Sequence, residues 1–460
     1  MIPEYSAVLS NISLSGIGEE AGSILPHVWL AVPALFVLAL CTTARGRIVV
    51  FTGGVLLTAG TSGDVGTSKI AFMGLALAIS AISLLRLLRR GAGREDRRVS
   101  AILTATLVFA VAAMIAAARG FSLGAPILSI VRDGVSYLLL IAALPLAADA
   151  GRCYNYFQVR RAVLLVGLLS AAVYLANMLT TRGVANLGAW AGLLFGSFPV
   201  IALGVCLCLV EGSLGRHRGL WYIAAAGQVG AVLLTGTRMG LALFTAILGL
   251  LGRRRRGAPG VTRLIIGLAL LGSFTSALVL ILAPHLAGLH FLMSRLESGI
   301  RAIQGDIGED LSGAQRLQRY ELALTYFESN PVLGHGLGGF AYGTNSSSAF
   351  EYYLDTPLLV PAKFGMVGTA LIVLGFAILF RGLLKPTTPR PSTQVRAQFV
   401  IRCFVCVIIF TTPFGAITEN KGLGVSVALA SMLVLAPAET RPRPERAKSL
   451  GGDRPQRQMS

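Results

Sequence analysis

An arginine stands between two apolar stretches of the sequence, in the string TGTRMG at 235–240. A guanidinium at the edge of an apolar segment is costly unless an anion or water meets it. Its planar fork of N–H donors fits a pair of phosphate oxygens, and it stays charged at every relevant pH. Arg238 is therefore a candidate catalytic residue that clamps an anion. The alternative is an interfacial arginine that only extends to the membrane surface.

Two further arginines, Arg316 and Arg319, lie in the segment 315–328, where apolar residues recur with helical spacing. Residues three apart project from nearby faces of a helix, so both side chains can approach one anion. We take Arg316 as a candidate catalytic residue and Arg319 as a candidate for substrate binding. A solvated helix with local ion pairs to Glu321 and Glu328 explains the same residues equally well.

A glycine-rich turn, GHGLGG at 334–339, follows the helix-stopping pair Asn330–Pro331. It matches the pattern G-x-G-x-x-G, but a dinucleotide site needs a strand before the pattern and a helix after it. Here a helix precedes it, and we reject that interpretation. The backbone N–H groups of such a turn can approach an anion, which makes Gly334, His335 and Gly336 candidates for binding a diphosphate or a glycan. A plain hinge is the alternative.

An isolated acid, Asp355, lies in the string YYLDTP at 352–357, where the chain enters another apolar stretch. A carboxylate there is a helix N-cap or a general base, and the two roles are compatible. Pro357 in the first helical turn favours the cap.

Two other charged pairs lie close to apolar stretches. We interpret Arg132 and Asp133 as a self-neutralising pair, with support of a nearby site as the alternative, and Glu419 and Lys421 as a surface pair. No His, Cys, Asp or Glu residues have metal-ligand spacing, and no phosphate-binding loop of the G-x-x-x-x-G-K-[ST] type occurs. We therefore expect no cofactor and no direct use of ATP.

The elements that must position these residues are membrane-spanning helices. Of the 460 residues, 54% are apolar and only 13% are charged, which is about half the charge of a soluble domain. Apolar blocks long enough to cross a hydrocarbon core are separated by short arginine-rich links. The sequence predicts an all-α, polytopic integral membrane protein with about 12–13 spans. The predicted spans are 26–42, 48–61, 68–86, 100–118, 127–149, 161–179, 188–211, 219–236, 238–252, 262–284, 356–380, 397–414 and 423–438.

The basic residues predict an orientation. One set of links and the C-terminal tail hold 29 basic and 7 acidic residues, a net charge of +22, whereas the other side has a net charge of −3. By the positive-inside rule the first set is cytoplasmic, so the N-terminus lies outside and the C-terminus inside. This asymmetry explains the formal charge of +19 without a nucleic-acid partner.

One link, 285–355, is far longer than the others, and loops of that length are usually functional. Its helical periodicity predicts an amphipathic cap over the external face. We divide the chain into an N-terminal transmembrane bundle at 1–284, this external helical loop at 285–355, C-terminal transmembrane helices at 356–438 and a disordered basic cytoplasmic tail at 439–460.

The string LTGTRMGLAL at 234–243 resembles the Ser/Thr-Arg-Gly segment of bacterial O-antigen ligases and polymerases. The segment 316–340 is similar to that family's external-loop signature, in which an arginine precedes an aromatic residue by four positions and Pro-x-x-Gly-x-Gly follows. Arg316 takes the arginine position, and FGMVG at 364–368 resembles the start of the next span. Where the family often has a histidine, this sequence has Leu354–Asp355, which leaves the ligase subtype open.

The resemblance implies a transferase that uses an undecaprenyl-diphosphate-linked glycan donor, with a glycan or lipid acceptor, on the outer face of the bacterial cytoplasmic membrane. It implies that Arg238 and Arg316 stabilise the diphosphate and that Asp355, or else His335, takes the proton of the attacking hydroxyl. Membrane lipids and other polysaccharide-assembly proteins are the further partners expected. A lipid-linked oligosaccharide flippase or polysaccharide transporter, and a scaffold protein for export, are the alternatives.

Overall fold

A computed structural model describes much of the chain. The described residues are 37, 39–58, 67–91, 96–181, 197–214, 217–234, 243, 311–338, 356–385, 392–412 and 417–437. For 67–69, 177–181, 233–234 and 311–319 only the backbone is described.

The described elements are helices. In chain order they are α1 (Ala44–Thr58), α2 (Thr67–Arg89), α3 (Arg97–Ser122), α4 (Ile127–Ala150), α5 (Tyr156–Thr181), α6 (Phe198–Leu214), α7 (Arg218–Leu234), α8 (Leu311–Ser329), α9 (Leu359–Leu384), α10 (Ser392–Thr411) and α11 (Leu423–Leu435). A short 3-10 helix, Ile417–Glu419, precedes α11.

Six of these helices are long and apolar enough to cross a membrane. They are α2, α3, α4, α5, α9 and α10, and the shorter α6 and α11 are also apolar. This confirms an all-helical, polytopic membrane protein. The full count of 12–13 spans stays a prediction, because 238–242 and 244–284 lie outside the described residues, as do 1–36 and 438–460. The division into four segments also stays a prediction.

The helix α4 lies at the centre of one half of the bundle, where it packs against α1, α2, α3 and α11. The helices α3 and α9 run antiparallel along much of their length. Phe109 meets Phe376 edge to face with ring centroids 4.8 Å apart, and Gly375 lies against the Phe109 ring. A small residue at such a contact lets two membrane helices approach closely.

The two ends of the bundle carry different polar groups. At one end, which we call the link end, the buried Asp149 pairs with Arg47, and the buried Glu211 accepts hydrogen bonds from Arg160 and Arg396. The other end, which we call the loop end, carries α8 and the glycine turn. Most of the basic link residues that the structure describes lie at the link end, as the charge pattern predicts, and which end faces the cytoplasm stays a prediction.

Candidate functional site

The glycine turn packs against α9 at a point where the helix is locally interrupted. Near the N-terminus of α9, Gly365 has φ 60° and ψ −170°, which are not helical values. The opening frees the carbonyl groups of Ala362 and Lys363 from the helical ladder. The turn bonds both of them: the N–H of His335 donates to Ala362 O at 3.0 Å, and the N–H of Gly336 donates to Lys363 O at 2.9 Å.

The same opening frees two donors, and the residues before the turn accept from them. The N–H of Met366 donates to Pro331 O at 2.8 Å, and the N–H of Val367 donates to Val332 O at 3.1 Å. Buried backbone groups must be paired somewhere, and here each segment satisfies the other. We call this reciprocal pairing of 331–336 with 362–367 the backbone dock.

The turn also contacts α3 and α4 through the last two of its described residues. The N–H of Leu337 donates to Ala116 O at 2.9 Å, and the N–H of Gly338 donates to Asp133 Oδ2 at 2.9 Å. The N–H groups from 334 to 338 therefore all bond protein acceptors. The N–H of Gly338 does bond a carboxylate, but that carboxylate is Asp133 of the protein and not a bound anion. A substrate contact by Gly334 or Gly336 stays a prediction, and the packing role of the turn is what the structure adds.

A relay of polar side chains from α3 orients the groups that face His335. Arg119 Nη2 donates to Asn330 Oδ1 at 3.0 Å, which orients the Asn330 amide so that its Nδ2 faces His335 Nε2 at 3.2 Å. A donor facing Nε2 requires that this nitrogen accept. Ser329 Oγ lies 2.7 Å from the same nitrogen.

Burial lowers the pKa of the His335 imidazole below its usual value, and the charge of Arg119 lowers it further, against a hydrogen bond to the Tyr326 backbone that raises it. Above the usual histidine pKa the ring is neutral whether or not the turn is docked, so docking does not depend on pH there. As the pH falls through that value, an undocked turn takes up the proton first, and docking weakens.

We therefore expect the thermal midpoint of the detergent-solubilised protein to fall more in the wild type than in His335→Gln between about pH 8 and about pH 5.5. Scanning fluorimetry across that range measures the difference. Equal slopes for the two proteins would show that His335 does not titrate differently on docking.

A buried ion cluster lies directly beneath the turn. The Lys363 side chain is 2% exposed, and its Nζ pairs with Asp133 Oδ1 and, at 3.1 Å, with Glu419 Oε1. Tyr137 donates to the same Glu419 oxygen at 2.7 Å. We call Asp133, Lys363 and Glu419 the Lys363 cluster; it joins α4, α9 and the 3-10 helix before α11.

The cluster bears on two interpretations of the sequence. The carboxylate of Asp133 pairs with Lys363 and accepts from the turn, which favours the alternative of support for a nearby site. The carboxylate of Glu419 lies inward on Lys363 and Tyr137, so it is not a surface group. Both interpretations had paired charges that are neighbours in sequence.

Lys363 was not among the residues predicted from the sequence. A lysine in the first turns of an apolar span was a sufficient signal, because an ammonium within a helical bundle is costly and needs partners. Its partners stand 230 positions before it and 56 positions after it in the chain, and no spacing rule connects them.

The helix α8 begins at Leu311 and ends at Ser329, so it includes the predicted segment 315–328. It packs on the start of α9 through Ala323, Leu359 and Ala362. Arg316 and Arg319 belong to α8, and only their backbone atoms are described. Arg238 and Asp355 lie outside the described residues. Whether the four predicted groups meet is therefore a prediction, while the element that carries Arg316 is placed at the loop end.

Residues 223–373 match a family model described as O-antigen ligase. The matched range includes most of α7, all of α8, the turn, and the first part of α9 with Lys363 and the opening at Gly365. This match supports an assignment of the chain to the O-antigen ligase/polymerase family. A comparison with curated proteins found no match. The matched domain supports a membrane glycan ligase or polymerase in general, which implies a glycosyl-transferring activity on a lipid-linked glycan and an acceptor.

Proposed function

We propose that the chain transfers or polymerises an undecaprenyl-diphosphate-linked oligosaccharide on the outer face of the bacterial cytoplasmic membrane. The observation that carries the proposal is the family match over 223–373, which coincides with the segment that docks on the loop end. The loop helix, the turn and the opened α9 form one joined unit there, which supports a functional role for the matched segment.

The leaving group of this reaction is a lipid diphosphate, whose negative charge grows as the sugar–phosphate bond breaks. Fixed donors aimed at developing charge are usually the largest contribution to such catalysis. Arg238 and Arg316 provide that charge stabilisation in our proposal, with Arg319 binding the remaining phosphate or glycan oxygens. Since the donor arrives already activated, the reaction needs no nucleotide.

The attacking sugar hydroxyl must lose a proton. We assign that proton to Asp355, because His335 is engaged at Nε2 by Ser329 and Asn330 in the docked turn. His335 and the glycines Gly334 and Gly336 then shape the surface that the substrate meets. A base must come within hydrogen-bonding reach of the hydroxyl, which places the acceptor near the point where the chain enters α9.

We expect Arg238→Ala and Arg316→Ala each to lower the surface glycan made per molecule of protein by about 100-fold or more, since that is the usual effect of removing one charge-stabilising donor. Each variant is expressed in a strain without the native gene, and glycan is measured against protein abundance in the membrane. Arg381→Ala is the matched control, because Arg381 is exposed near the other end of α9.

Wild-type glycan in both arginine variants, at normal abundance, would contradict the transferase proposal. It would favour the transporter alternative, in which no group stabilises a breaking bond. In the deletion strain, chains that collapse to single repeats would indicate a polymerase, and accumulation of free lipid-linked polymer would indicate a ligase.

A further inference from the structure

We propose that Lys363 is a positioning residue for glycan transfer: its buried ammonium locks the turn and the opened start of α9 into one arrangement. The inference rests on the proposed function, because it concerns how the groups of that reaction are held. It assigns no contact with substrate to Lys363.

The first observation is a closed ring of contacts around the turn. The carbonyl of Lys363 accepts from the N–H of Gly336 at 2.9 Å. Two residues later, the N–H of Gly338 donates to Asp133 Oδ2 at 2.9 Å, and the other oxygen of Asp133 pairs with Lys363 Nζ. Lys363 thus binds the turn through its backbone directly and through its side chain by way of Asp133.

The second observation is that the ring is fixed to the rest of the bundle. Glu419 holds the same ammonium at 3.1 Å from the 3-10 helix. Tyr137 bonds Glu419, and its ring meets that of Phe364 edge to face with centroids 4.7 Å apart. The lysine therefore sets the turn relative to α4, α9 and the 3-10 helix before α11 together.

The third reason is that buried charges contribute little net stability to a fold. Burying one ammonium and two carboxylates incurs a desolvation penalty that can exceed the attraction between them, and apolar packing often stabilises as well. What such a cluster provides is a single geometry, because ions in a buried site tolerate few alternative partners. The cluster joins elements, while the apolar residues around it supply the bulk of the packing.

The fourth observation is where the ring lies in the chain. The helix α8, which carries Arg316, ends at Ser329, directly before the turn. Asp355 precedes Lys363 by eight residues on the segment that enters α9. The ring therefore sets the distance between the segments that carry two groups of the proposed reaction. A misplacement of about 1 Å at such groups can cost about 100-fold in rate.

The test uses the full chain in detergent and in a strain that lacks the native gene. We expect Lys363→Met to raise amide hydrogen exchange at 335–338 by about tenfold or more and to lower surface glycan per molecule of protein by about 100-fold. Asp133→Asn keeps an oxygen for the N–H of Gly338, whereas Asp133→Leu does not. The asparagine variant should therefore open the turn less and retain more product than the leucine variant.

The matched control is Asp149→Asn, on the same helix α4 but at the link end, where Asp149 pairs with the buried Arg47. It removes a buried charge without touching the turn. We expect it to lower the thermal midpoint while exchange at 335–338 and glycan per molecule stay within about twofold of the wild type.

Three results would overturn the inference. In the first, amide exchange at 335–338 stays at the wild-type rate in Lys363→Met. In the second, Asp149→Asn loses as much glycan per molecule as Lys363→Met does. In the third, Lys363→Met keeps full product while Arg316→Ala loses it. The last result refutes the positioning role alone. Full product in both Arg238→Ala and Arg316→Ala instead refutes the proposed function, and the positioning role with it, so the two failures are distinguishable.

Discussion

Gly336→Ala should undock the turn and abolish glycan assembly. Gly336 has φ 77°, and a Cβ built there would lie 2.2 Å from the Gly120 nitrogen and 2.7 Å from the Ala116 oxygen. Both are backbone atoms of α3, which no change of rotamer can move. The methyl group would force the turn away from the helix and break the bond from the N–H of Leu337 to Ala116. We expect surface glycan per molecule of protein to fall by about 100-fold, with the membrane helices still folded.

The strain of the backbone alone must be separated from the close approach. Gly124, at the end of α3, has φ 81° and no neighbour within 4 Å of a Cβ. Gly124→Ala therefore carries the cost of a left-handed backbone, about 1–2 kcal/mol, without any collision. Equal loss of glycan in Gly124→Ala and Gly336→Ala would mean that contact with α3 is not what matters.

Asp149→Leu should be the most destabilising change at the link end. Arg47 is fully buried and donates to Asp149, to Ser83 Oγ at 2.8 Å and to Cys41 O at 3.0 Å. Removing the carboxylate leaves a buried guanidinium without its counter-charge, which costs about 3–5 kcal/mol in the free energy of unfolding. The thermal midpoint in detergent and the abundance in the membrane measure the loss.

The double variant Arg47→Met/Asp149→Leu tests the cause. Because it removes both charges, we expect it to regain most of the stability that Asp149→Leu loses. A double variant as unstable as the single would show that the shape of the aspartate, and not its charge, holds α1 against α4. In neither variant should exchange at 335–338 increase.

The spans could be predicted because their signal is local. An apolar run with arginines at one end or at both defines α2, α3, α4 and α9, and predicted bounds such as 100–118 and 127–149 lie within five residues of the observed helix ends. The loop helix α8 was predicted from its apolar spacing for the same reason.

The site could be predicted only in part, because its pairings are not local. Asp133 and Glu419 were noticed as charges near span ends, but the lysine that joins them was counted only as a contribution to the net charge of one side. The opening of α9 at Gly365 was also not foreseen, since GMVG within an apolar run looks like ordinary helix. The roles of Arg238, Arg316, Arg319 and Asp355 stay predictions.

The backbone dock has a consequence for how loops of this kind can diversify. Its four bonds join peptide groups, which every residue possesses, so the dock places little demand on the side chains that flank it. Val332 and Met366 donate or accept only through their backbones there, and their side chains point away and are 55% and 59% exposed. A loop attached in this way keeps its position when the side chains that point outward change. Its outward residues can be replaced to suit a different acceptor while the glycines and Lys363 keep the attachment unchanged.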